Sequence, residues 1–171
     1  MSTTALDSAI LSLSRASAEA VAQEELLSAA KRAVEERELA FLTECMVALR
    51  RNVKPTFEAV AAKVESARRL GRYSSDDAAK KEVQADIEGD EQSASLILSR
   101  GGERLGSLAV SVDRKRLEAR LTITFRGWVD GRFDGRAESL QPVALNDAKI
   151  ELAAAELIAG VANPKSREGG A

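Results

Sequence analysis

Every seventh residue from Leu6 to Ala48 is apolar: Leu6, Leu13, Ala20, Leu27, Val34, Phe41 and Ala48. The positions between them, from Ala5 to Arg51, hold mainly Ala, Leu, Glu, Arg, Lys, Val and Ser, with no glycine or proline, so the pattern predicts helix throughout. Thr4, three residues before Asp7, resembles a capping arrangement at its start. The companion column of a coiled coil would lie four residues further on, and it reads Ile10, Ser17, Glu24, Lys31, Glu38, Cys45. Only its two ends suit a zipper seam. Val21, Leu26, Ala30, Ala33, Ala40, Leu42, Val47 and Leu49 widen the apolar stripe instead, as in a helix packed on a broader surface.

Pro55 lacks an amide donor and restricts Lys54, so it ends or kinks this helix. A second helix follows with Pro55 in its first turn and with Phe57, Val60, Val64 and Ala67 on one face. Leu70 and Gly71 supply an apolar last turn and a cap. A kinked long helix and a helical hairpin both satisfy this pattern. Length adds a constraint. One helix over residues 5 to 50 would run to roughly 70 Å, whereas a compact domain of this size has a radius of gyration of about 15 to 16 Å. Either the helix breaks, with the serine-rich stretch Ser12 to Ser17 as the candidate place, or a second copy covers its stripe. The expectation is self-association, as a homodimer, through Leu13, Leu27, Val34 and Phe41.

All 11 glycines fall between Gly71 and the C-terminus, which sets a turn-rich half against the helical one. Residues 71 to 92 are polar, with Val83 and Ile87 as the only large aliphatic side chains, and read as a linker holding at most a short helix from Asp76 to Ile87. From Ser93 the apolar period changes to two. Ala94, Leu96 and Leu98, then Leu108, Val110 and Val112, then Leu117, Ala119, Leu121, Ile123 and Phe125 mark successive strands, with Gly101 and Gly102 in a turn. Shorter strands fit Trp128 to Phe133 and Arg136 to Leu140. Asn146 caps a last helix presenting Ile150, Ala153, Ala154, Leu157, Ile158 and Val161, which Asn163 and Pro164 stop. The fold class is α+β: a long N-terminal helical segment, a meander of three to five antiparallel strands, and a C-terminal helix packed on the sheet. The domain organisation is a helical oligomerisation segment over 1–70, a polar linker over 71–92, sheet plus helix over 93–163, and a disordered tail over 164–171.

Composition narrows the chemistry. The chain of 171 residues carries a net charge of −2 and no histidine, which removes the commonest general acid/base and the commonest metal ligand together. Cys45 is the only cysteine, so no thiolate cluster or internal disulfide can form, and among Leu42 and Leu49 it reads as a structural thiol. The Gly-Gly pair near Arg100 and the glycines at 127, 131 and 135 lack the spacing of phosphate or dinucleotide loops. Glu118, Asp130 and Asp134 lie in turns or on a wet face rather than as a catalytic pair. No catalytic residue, cofactor or metal site is expected, and the protein is read as not an enzyme. Residues 1 to 13 lack the pattern of a secretory signal and no apolar run is long enough to span a membrane, so the expectation is a cytoplasmic protein with no membrane partner.

One regional asymmetry remains. Residues 93 to 140 hold nine basic against six acidic residues, eight of the nine being arginine. Arg120, Thr122, Thr124 and Arg126 share one strand face with Trp128 just beyond, a surface suited to a nucleic acid or an acidic protein segment. Solvated strand residues paired with acidic neighbours are the competing reading, and the net charge of the chain gives nucleic acid no support. The function expected is therefore a homo-oligomeric interaction or adaptor protein, its helices assembling and its sheet presenting a surface to a protein partner. The alternative is a polyanion-binding module using the arginine-rich face.

Overall fold

A proline sits inside the longest helical run of the chain, and a widened turn makes this possible. The computed structural model describes residues 3–70, 82–126 and 132–163. The run consists of α1 (Thr3–Ala48), a π-helical turn (Leu49–Val53) and α2 (Lys54–Leu70). Lys54 N–H donates to Leu49 O, five residues back, and Ala48 and Lys54 on either side both keep right-handed helical torsions. Pro55 follows at the second residue of α2, where a missing amide and a bulky ring are tolerated next to a loosened turn. The helix therefore continues through the proline and does not fold back as a hairpin. Nor does it break at the serine-rich stretch. The hydroxyls of Ser12 and Ser17 return to the carbonyls of Ser8 and Ser14 at 2.9 and 3.0 Å, so these serines are satisfied inside a helix.

The chain divides into two units, Met1–Ala40 and Phe41–Ala171. The boundary lies inside α1, well before the position near residue 70 at which composition changes. In the second unit, Phe41, Cys45, Leu49, Val53 and Phe57 are all buried at steps of four. On an ideal α-helix each such step drifts by about 40°, and the extra residue in the wide turn absorbs part of that drift. Asn52, carried by the same turn, donates from Nδ2 to Leu145 O at 2.7 Å.

These side chains cover one face of a five-stranded antiparallel sheet in simple chain order: β1 (Val83–Gly89), β2 (Ser93–Arg100), β3 (Glu103–Asp113), β4 (Glu118–Arg126) and β5 (Phe133–Leu140). The inner face carries Ala94, Leu96 and Leu98 from β2, Leu108 and Val110 from β3, and Ala119, Leu121 and Ile123 from β4, all buried. Strand β1 lies within the segment read as a linker. Its inner positions Val83, Ala85 and Ile87 alternate with Gln84, Asp86 and Glu88, a period of two that high polarity obscures in the sequence. Edge strands need only one modestly apolar face, which is why this one looks like a connector. Residues 71–81, residues 127–131 with the start of the short strand expected over Trp128 to Phe133, and the expected tail over 164–171 lie outside the described residues.

After a short 3₁₀ turn at Pro142–Ala144, α3 (Asp147–Ala162) begins with Asn146 Oδ1 accepting from Lys149 N at 3.0 Å. It packs on β3 and β4 through Ile150, Ala153, Ala154 and Leu157, whereas Ile158 faces outward. Its seat is Gly106. The register between β2 and β3 shifts there, with Leu98 opposite Gly106 and Ser99 opposite Arg104, so Leu105 is the extra residue of a bulge. A Cβ at Gly106 would lie 2.7 Å from Thr124 O and 3.0 Å from Leu157 Cδ1. The helix thus approaches the sheet where a side chain is missing. Replacing Gly106→Val is expected to lower stability by about 1 to 3 kcal/mol through overpacking, read from chemical denaturation.

Candidate functional site

Among the described residues, the sites expected from the sequence fall on two exposed surfaces, one on α1 and one on the outer face of the sheet. On α1 the heptad column changes character along its length. Leu6, Leu13, Leu27 and Val34 lie in the first unit, and together with Ile10 and Val21 they are 56–74% exposed. Phe41 and Ala48, the last members of the column, are buried in the core of the second unit. Of the four residues expected to mediate self-association, Leu13, Leu27 and Val34 are therefore displayed. Phe41 is taken up by its own chain, buried in the core of the second unit. Near the middle of the displayed stripe stand exposed Glu24 and Lys31, and the hydroxyl of Ser28 donates to Glu25 O at 2.9 Å.

The outer face of the sheet is built from short side chains in register. One cross-strand row runs Ser95, Ala109, Thr122, Ala137; the next runs Ile97, Ser107, Thr124, Gly135. Ser107 is buried even though it lies on this face, with its hydroxyl 2.8 Å from that of Thr124 and accepting from Arg104. The Arg104 guanidinium also lies 5.7 Å from the centre of the Phe133 ring. Arg126 pairs with Glu103. Arg120 is exposed and lines a shallow cavity of about 100 Å³ with Asp113, Arg116, Glu118, Ala137 and Ser139. Asp113 there accepts from the amides of Lys115 and Arg116 at 3.0 and 3.2 Å, shaping the turn.

The five residues expected on the arginine face are thus brought together only in part. Arg120, Thr122, Thr124 and Arg126 share the outer side of β4, but Thr124 is engaged by Ser107 and Arg126 by Glu103. Trp128 lies outside the described residues. Among the described residues Asp113 and Glu118 lie beside Arg120, and Glu103 pairs with Arg126.

Arg136, counted in the sequence among the basic residues of this region, lies on the opposite side. It stands in register with Ile123, facing α3, and there makes a two-point pair with Glu156, Nε to Oε1 at 2.8 Å. Next to it Lys149 Nζ bridges both oxygens of Glu138 at 2.8 Å. These pairs close the side of the core where β5 has run out of apolar inward residues. Sequence reasoning missed them, since Glu138 and Arg136 break the inward alternation only when the register is known.

Among the described residues no group of His, Cys, Asp and Glu is arranged to hold a metal, and no helix is long and apolar enough to cross a membrane. The chain matches no protein-family model, no curated protein and no solved structure.

Two titrations follow from these surroundings. Hydrogen bonding to Arg136 holds the Glu156 carboxyl below the ordinary glutamate range. A lowered folded-state value gives stability that is present above the unfolded value of about 4.3 and is lost as pH falls through the folded one. Denaturation midpoints taken from pH 7 to pH 3 should therefore fall less steeply for Glu156→Gln than for the parent. Cys45 behaves oppositely: burial, reinforced by Glu44, pushes its thiol up to about 11. It should resist iodoacetamide at pH 8 in the folded protein and react fully in guanidinium, as measured by mass spectrometry.

Proposed function

We propose that this protein is a non-enzymatic, self-associating interaction module, with the first unit as its assembly surface and the sheet unit as the part displayed to a protein partner. One observation carries this reading: Leu6, Ile10, Leu13, Val21, Leu27 and Val34 stand exposed on one helix while the same chain buries Phe41 and, on the inner face of β2 to β4, Leu96, Leu98, Leu108, Val110, Leu121 and Ile123. Apolar side chains displayed along a helix in this way are removed from water by association, because the driving force grows with the apolar area covered. A second copy brings an identical stripe, and symmetric pairs are the commonest soluble assemblies.

The polyanion reading has weaker support. Its arginines are interleaved with Asp113 and Glu118 around Arg120, and Arg126 is held by Glu103. Phosphate binding draws its affinity from uncompensated cations that displace counterions.

Size exclusion with light scattering on the full chain tests the assembly. The parent should elute with the mass of a dimer at about 10 µM, an order-of-magnitude concentration for moderate affinity. The variant Leu13→Asp/Leu27→Asp should elute as a monomer with an unchanged thermal midpoint of the sheet unit, since both side chains are exposed. A parent that is monomeric up to 100-fold higher concentration defeats the proposal.

A further inference from the structure

We infer that the second copy lies antiparallel on α1, with the two-fold axis passing near Leu27 and Ser28 and with Glu24 of each copy opposite Lys31 of the other. This inference rests on the self-association proposed above and specifies its geometry. The argument starts from what interrupts the stripe. Positions 24 and 31 are one heptad apart, so they project from nearly the same side of the helix as Leu13, Leu27 and Val34. One is an acid and the other a base. Both are exposed, and neither makes an ion pair among the described residues.

Orientation decides what each of them meets. In a parallel in-register pair every residue faces its own copy, so Glu24 meets Glu24, Lys31 meets Lys31 and Glu38 meets Glu38. Like charges at the centre of an apolar seam are repulsive and lose hydration without a partner. In an antiparallel pair residue numbers that face one another add to a constant. A constant near 55 sets position 24 opposite position 31 twice, once on each side of the axis. It also sets Leu27 beside its own copy, Val34 opposite the turn at Ala20 and Val21, and Glu38 opposite the neutral Ser17. The stripe is therefore self-complementary in one orientation only. Its two central charges, which spoil it as a zipper, become the features that choose the direction. The facing pairs named here lie between positions 17 and 38, in the first unit, and the same constant sets Leu13 opposite position 42.

Charge reversal and thiol cross-linking test this on the full chain. Glu24→Lys alone and Lys31→Glu alone should each weaken the dimer on the order of tenfold, since both symmetry-related pairs turn repulsive, and the double exchange should restore it. Ser28→Cys should form an intermolecular disulfide under mild oxidation, because position 28 lies next to the axis. Ser17→Cys should not, because the two copies of position 17 would be separated by about 30 Å along the helices. Cys45 is buried and serves as a silent background thiol. Cross-linking through Ser17→Cys, or single reversals that leave a dimeric protein unchanged, overturns the antiparallel arrangement while self-association stands. A parent that is monomeric by light scattering overturns self-association itself.

Discussion

A small sheet can shelter only a limited length of helix. Strands spaced about 4.8 Å apart and rising about 3.3 Å per residue give a five-stranded sheet with strands of 7 to 11 residues a face of roughly 20 to 35 Å in either direction. The buried positions from Phe41 to Val60 occupy about 30 Å of helix at 1.5 Å per residue. Within the second unit α2 lies on β1 and β2 and α3 on β3 and β4, so the two helices share the inner face. The large apolar residues of α1 before Phe41, from Leu6 to Leu39, are exposed.

The helix has to be shaped to use that length well. Cys45, Leu49, Val53 and Phe57 recur every four residues, a spacing that winds slowly around a regular α-helix. The π-helical turn widens the helix where Pro55 already weakens the hydrogen-bond ladder, so one local irregularity admits the proline and keeps the buried side chains facing the sheet. At the other edge of the core β5 turns Arg136 and Glu138 inward, and α3 answers with Glu156 and Lys149. Charge pairing replaces apolar contact where the meander ends. These pairs are partly exposed, so they contribute modestly to stability and chiefly fix how the helix end meets the strand.

The two halves of the chain also distribute chemistry unequally. The sheet unit spends most of its charged groups on its own structure: Arg104 on Ser107, Arg126 on Glu103, Asp113 on its turn, Asp90 on the amide of Gln92 and the hydroxyl of Ser93. On the first unit the charged residues at the centre of the apolar stripe are left displayed. The antiparallel pairing proposed above would use these two charges, Glu24 and Lys31.

Much of the architecture was legible in the residues alone. The change of period at Ser93, the cleanly alternating strand from Leu117 to Arg126, the Asn146 cap and the breaker-free run to Arg51 follow from short-range physics: side-chain direction repeats every 3.6 residues in a helix and every two in a strand. What depends on distant parts of the chain was not legible. Whether Pro55 would end the helix, whether a polar stretch around Val83 would serve as an edge strand, which side of the sheet Arg136 would face, and where along one uniform apolar column burial would begin are all settled by partners far away in sequence. Leu27 and Phe41 belong to the same column, Leu27 between Glu24 and Lys31 and Phe41 with Cys45 four residues on. The second is buried in the core of the sheet unit and the first is exposed, and the column by itself does not mark where burial begins.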